Sequence, residues 1–142
     1  MKYHIITIGK IKEKYLTAGI EEFLKRLRPY GQVEITALPE EKMPDNPSEA
    51  QKRQVLAKEG EKLLRHVHEG SHLFVLDVQG KLISSEEMAA KFADLALYGC
   101  SEMSFIIGGP FGLSDTVCRR ADSRISFGRI TLTHQMIRMI LL

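Results

Sequence analysis

Phe105-Ile106-Ile107-Gly108-Gly109-Pro110-Phe111-Gly112-Leu113-Ser114 is the stretch whose reading decides the fold. Met103 to Ile107 is of strand length and apolar but for Ser104, the pattern of a strand covered on both faces. Three glycines within the next five residues permit a tight turn and a close approach of backbone to a ligand. Ser114 then stands where a helix N-cap belongs, ahead of a short helix through Cys118. Buried strand, tight turn and helix make the repeating unit of an α/β sheet.

The same alternation extends in both directions. Toward the N-terminus, Ser84 and Glu87 form a capping-box pattern ahead of Met88, Phe92, Leu95 and Ala96, the expected core stripe of a helix. His72 to Leu76 reads as a strand, preceded by a long polar helix opened by Pro47-Ser48 and marked by Leu56, Leu63, Leu64 and Val67. Pro39 to Pro47, with three prolines, reads as an exposed loop. Val33 to Leu38 is a strand. Leu16, Ile20, Phe23, Leu24 and Leu27 recur at helical spacing until Pro29 and Gly31 stop them, and Tyr3 to Ile8 is the first strand. Toward the C-terminus, Ile125 to Phe127 is a short strand and a last helix starts near Thr133 and still runs at Leu142. The expectation is one α/β domain over residues 1–142, with a mostly parallel sheet and helices on both faces.

Composition fits that expectation. The 142 residues are 44% hydrophobic and 27% charged, and contain 11 Gly and 5 Pro, a balance that supports a core rather than disorder. A net charge of +2 is too small to argue for nucleic-acid binding by itself. Its distribution is uneven, however: Lys10 to Arg28 carries +3 and Arg119 to Leu142 carries +4. No stretch approaches the ~20 apolar residues of a membrane span. Cys100 and Cys118 form no C-x-x-C pair and read as reduced, partly buried thiols of a cytoplasmic protein.

In parallel sheets, ligands sit beyond the carboxyl ends of the strands. That rule selects Leu76-Asp77, Gly108 to Gly112, and Phe127 to Leu132. Exposed N–H groups in the glycine turn suit an adenine edge or an anion; a tight connection without a ligand is the competing reading. No Gly-Lys-Ser/Thr follows, so it is not a P-loop, and Ser123 to Leu142 contains no acid to complete a dinucleotide fingerprint. The acid-free tail presents Arg124, Arg129, His134 and Arg138, suited either to an anionic partner such as RNA or to a solvated face. Asp77 reads as a ribose contact or a loop cap. Met136 to Leu142 is apolar almost all round, as in a helix buried on most sides. His68 and His72 lie four apart, but Gly70 separates them and no ligand cluster is evident, so no metal is expected.

Several segments together carry a resemblance: Gly9-Lys10-Ile11-Lys12-Glu13-Lys14-Tyr15, Leu76-Asp77-Val78-Gln79-Gly80-Lys81, Ser84-Ser85-Glu86, Phe105 to Gly109 with Gly112-Leu113, and His134-Gln135-Met136-Ile137-Arg138. In this order the chain resembles, over its whole length, the large-subunit rRNA methyltransferase H family of the SPOUT, or α/β-knot, class. The resemblance implies methylation of N3 of a pseudouridine in helix 69 of 23S rRNA, on the assembled ribosome, with S-adenosylmethionine as donor. It also implies a homodimer and a C-terminal trefoil knot, which ordinary topology rules disfavour.

The family's cofactor positions fall on Leu76, Gly108, Phe127, Gly128, Arg129, Ile130, Thr131 and Leu132, within the three strand-end segments chosen above on physical grounds. For the chemistry, His134 is a candidate acceptor of the N3 proton and Arg138 a candidate stabiliser of negative charge. Either residue also reads as a structural fixture of the last helix. The family's pattern continues with a Glu-Gln-x-Tyr-Arg-Ala helix and a basic, aromatic tail, whereas this sequence stops at Leu142, so the substrate side is expected to be shortened. A non-catalytic RNA-binding module and a nucleotide-binding α/β enzyme of another reaction type are the alternatives.

Overall fold

Five strands pair side by side, and the three in the centre, rich in Ile, Val, Leu and Phe, are buried on both faces while the two at the edges are more polar. In the computed structural model, which describes residues 1–142, they are β1 (Lys2–Ile8), β2 (Gln32–Leu38), β3 (His72–Leu82), β4 (Glu102–Ile107) and β5 (Ser123–Ser126). The intervening helices are α1 (Lys14–Leu27), α2 (Glu49–Arg65), α3 (Ser85–Leu97) and α4 (Asp115–Arg120), and α5 (Met136–Leu141) ends the chain. The strands form one sheet in the order β2-β1-β4-β3-β5, and every pair is parallel. The α/β class and the parallel sheet expected from the sequence are both present.

Side-chain alternation sends Ile6, Ile8, Leu73, Val75 and Ile106 to one face, where Leu63 of α2 and Val117 of α4 cover them. Ile5, Phe74, Phe105, Ile107 and Ile125 point the other way, against Met88, Phe92 and Leu95 of α3 and Ile137 and Leu141 of α5. Phe74 and Phe105 stack at 4.9 Å, and Phe92 meets each of them edge-on. Burying such a side chain contributes about 1.5–3 kcal/mol, so these two layers carry most of the stabilisation.

Local signals fix the helix starts. Ser48 and Gln51 form a complete capping box on α2, as do Ser84 and Glu87 on α3, while the Ser114 hydroxyl accepts from the Val117 N–H at the start of α4. Gly60 lets α4 approach α2 closely: a Cβ there would stand 2.5 Å from Ser114 Oγ.

Four expectations need correction. β3 does not end at Leu76 but runs to Leu82, with both Leu76 and Lys81 opposite Ile125, so residues 77–80 bulge out of the ladder. β5 ends at Ser126, leaving Phe127 in the following loop. No residue of α3 is fully buried, and Ala96 is exposed, because only the Met88-Phe92-Leu95 edge meets the sheet. The last helix starts at Met136, whose N–H is held by Thr133 Oγ1, and within one chain it is covered on one side only. Met136 and Ile140 are substantially exposed, and the residue of α5 that is buried is the charged one, Arg138.

Candidate functional site

The connection after β1 leads through α1 to β2 on one side, and the connection after β4 leads through α4 to β5 on the other. Neighbouring strands whose connections diverge leave a crevice at their carboxyl ends. Three loops wall it: the glycine turn after β4, the bulge in β3, and the segment between β5 and α5. They enclose a cleft of about 1170 Å³.

The glycine turn is closed on itself. Gly112 N–H donates to the Gly109 carbonyl at 3.1 Å, and Gly112 has φ +87°. A Cβ on Gly108 would lie 2.7 Å from the Gly112 carbonyl oxygen and 2.9 Å from Leu113 Cγ. Glycine at 108 is therefore required by the turn itself, before any ligand is considered. Gly109 sits over Ile8 at the end of β1, with 3.2 Å from a would-be Cβ to Ile8 Cγ2.

The bulge carries Asp77. Its Oδ1 accepts from the Gln79 N–H at 3.0 Å, and its Oδ2 pairs with the Arg124 guanidinium and accepts from the Cys118 thiol. Burial pushes the Asp77 pKa up, but the Arg124 hydrogen bond, the Gln79 amide and the Arg124 charge outweigh it and hold the carboxyl below its ordinary value. Burial and the nearby Asp77 charge raise the Cys118 thiol, so it stays protonated at neutral pH. Gly80 lets the bulge lie on β5, since a Cβ there would come within 2.8 Å of the Arg124 backbone.

The third wall begins at Ser126, whose hydroxyl donates to the Gly128 carbonyl at 2.9 Å and lies 3.3 Å from the Gly128 N–H. Gly128 has φ +142°, a region open to glycine almost alone. Phe127, Gly128, Ile130, Thr131, Leu132 and His134 all line the cleft, facing Leu76 and Gly108. Arg129 does not line it. Burial, and then the Arg138 charge, lower the His134 pKa against an opposing pull from Glu40, so its imidazole is neutral near pH 7.

Arg138 stands behind the cleft wall rather than in it. It is 2% exposed, its Nη2 donates to the Ile8 carbonyl at 2.7 Å, and its Nε has no hydrogen-bond partner. Burial lowers its pKa, with Glu40 opposing.

Several lining residues escaped the strand-end reading. Glu13 and Tyr15 follow β1 at the same end of the sheet, where the same rule selects them. Arg119, on α4, and Cys118, read from sequence as a reduced, partly buried thiol, come from a helix the rule does not address. Arg124 reaches the cleft only because the bulge brings Asp77 to it.

Comparison with known proteins agrees with this arrangement. A family model described as "Predicted SPOUT methyltransferase" matches residues 1–142. A protein of Symbiobacterium thermophilum named ribosomal RNA large subunit methyltransferase H is 50% identical over 144 residues, covering 100% of this chain and 89% of its own length. Proteins of the same name from Listeria welshimeri and Moorella thermoacetica are 49% and 51% identical, over 99% and 97% of this chain and 89% and 86% of their own. With the parallel sheet, the strand-end cleft and the full-length match in agreement, the chain belongs to the SPOUT methyltransferase family.

Proposed function

We propose that this chain methylates large-subunit ribosomal RNA, using S-adenosylmethionine, at N3 of a pseudouridine in helix 69 of 23S rRNA. The observation that carries the reading is the convergence of Leu76, Gly108 and residues 127–132 (Arg129 apart) on one cleft. The shared name of the relatives supplies the RNA substrate. The finer target, the assembled ribosome as substrate, the homodimer, the cytoplasmic setting and the trefoil knot follow from the family resemblance and belong to the same proposal. The absence of any helix long and apolar enough to cross a membrane is consistent with it.

The residues present fit the cofactor. Single-ligand clefts run to roughly 300–1,000 Å³. At about 1170 Å³, this one has room for the cofactor and an unstacked base together. Leu76, Phe127, Ile130 and Leu132 offer apolar cover for an adenine ring, while the glycine turn offers backbone approach. When bound, S-adenosylmethionine supplies an electrophilic methyl group.

The chain's own task is positioning, exclusion of water and management of one proton. Attack by N3 requires loss of its imino proton, and His134, neutral and facing the cleft, is the acceptor in this reading. Arg138 acts as a positioning residue: its bond to Ile8 holds α5, and with it His134, against the end of β1. Lys10, Lys12 and Lys14 are exposed after β1 at the same end, where phosphate contacts would add to RNA affinity.

Two measurements test the proposal. S-adenosylmethionine or S-adenosylhomocysteine should raise the melting temperature, by about 2.7 kcal/mol of stabilisation at a hundredfold excess over Kd. Labelled methyl groups should pass to ribosomes lacking the modification. A thermal shift without methyl transfer would remove the substrate assignment. No shift at millimolar ligand would remove the cofactor assignment as well.

A further inference from the structure

At the amino end of the sheet, opposite the cleft, the fold assembles a second group of chemistry-bearing residues. His4 lies on β1, Glu102 opens the adjacent β4, and His68 lies in the connection between α2 and β3. Each presents a ligating atom within 4.8 Å of the other two. His68 Nδ1 is 2.6 Å from Glu102 Oε1, and the two imidazole rings lie 5.2 Å apart between centroids. In the sequence His68 lies four residues from His72, with Gly70 between them. The fold separates them, since His72 Nε2 meets Ser123 Oγ at 2.9 Å.

His4 supplies the independent observation. It is 4% exposed, and Thr36 Oγ1 holds its Nε2 at 2.8 Å, yet its Nδ1 has no hydrogen-bond partner. A buried polar atom left without a partner costs about 1–3 kcal/mol, and such atoms in native proteins call for an occupant. In the tautomer whose Nε2–H donates to Thr36 Oγ1, Nδ1 carries a free lone pair, which is what a metal ion takes from a neutral imidazole. A hydrogen bond at the other ring nitrogen, fixing the tautomer of a ligating histidine, is also the usual accompaniment of a metal site.

We propose that His4, His68 and Glu102 bind a divalent transition-metal ion of the zinc type. Two imidazole nitrogens and one carboxylate oxygen suit zinc, cobalt and nickel; magnesium and calcium prefer all-oxygen sets. Tetrahedral zinc needs ligand atoms about 3.3 Å apart, from bonds of about 2.0–2.1 Å. The adjustment, which widens the 2.6 Å His68–Glu102 contact and draws in His4, falls to His68, whose side chain is 59% exposed and sits on a connection rather than in the sheet. Three protein ligands leave a fourth position to water. The ion would tie the α2–β3 connection to the starts of β1 and β4. The site is a structural clasp at the far end of the sheet from the cleft.

The test uses the full chain stripped by chelator and then titrated with zinc chloride, and separately with cobalt(II). Wild-type protein should bind one equivalent, gain thermal stability, and with cobalt show the intense visible bands of a tetrahedral site. His68→Ala, at an exposed position that leaves folding intact, and Glu102→Gln should each weaken binding at least tenfold and abolish the bands. His4→Gln should do the same if it folds, but the exposed variant decides. A stripped wild-type protein whose melting temperature ignores zinc would overturn the proposal. So would zinc binding unchanged in both His68→Ala and Glu102→Gln.

Discussion

Arg138 and Ile8 are separated by 130 positions of chain, yet the Arg138 guanidinium donates to the Ile8 carbonyl at 2.7 Å inside the protein. One hydrogen bond thus fastens the last helix to the end of the first strand. Replacing Arg138 by Ala leaves that carbonyl unpaired and opens space in the interior. The expected loss is about 2–4 kcal/mol, measured by urea denaturation. Unchanged stability would show that α5 does not depend on this bond.

Gly108 and Gly128 separate two kinds of glycine requirement. Gly108→Ala drives a Cβ into the Gly112 carbonyl, so the turn must reopen; a fall in melting temperature and loss of the S-adenosylmethionine shift should appear together. Gly108→Val would do the same more severely, and therefore reports on the turn rather than on ligand approach alone. Gly128→Ala meets nothing within 4 Å and bears only the strain of φ +142°, about 1–3 kcal/mol. It should stay folded with a lowered melting temperature.

Gly60→Ala should reverse the usual helix rule. Within an exposed helix, alanine is favoured over glycine by about 1 kcal/mol. Here its Cβ would press on Ser114 Oγ and stand 3.0 Å from Val117 Cγ2, displacing the hydroxyl that caps α4. Destabilisation of about 1–3 kcal/mol is expected in chemical denaturation. Stabilisation would show that α2 and α4 separate freely.

Burial holds the His72 imidazole below its ordinary value of 6.5, with Asp122 pulling it up and Lys91 pushing it down. The unfolded chain therefore takes up this proton first as the pH falls. The neutral ring's contribution is complete above pH 6.5 and declines as the pH drops below it. His4 and His134 shift in the same direction. In NMR titration the His72 ring should stay neutral at pH 6.5 after free histidine is half protonated. His72→Gln should flatten the fall in stability between pH 7 and pH 5.5; an equal slope would exclude His72 from it.

Much of this was legible in the sequence, because it rests on local rules. The Ser84–Glu87 capping box, the helix start at Ser48, the apolar central strands and the glycine turn are each decided within a few residues. The carboxyl-end rule then selected three segments that do line one cleft. What stayed hidden depends on contacts between distant positions. The bulge at 77–80 exists because Leu76 and Lys81 share one partner on β5. Arg138 in an apolar helix suggests a charge facing outward, and only the free carbonyl of Ile8 explains its burial. His4, His68 and Glu102 bear no common spacing and meet only through strand register.

The crowding inside the glycine turn has a kinetic consequence. Gly108 lies close against Gly112 and Leu113, and the Gly112–Gly109 hydrogen bond closes the turn, so this wall has its shape before a ligand arrives. A ligand arriving there finds its backbone contacts already set and has little motion to arrest. Association should then follow encounter in a single concentration-dependent phase, without a slow isomerisation behind it.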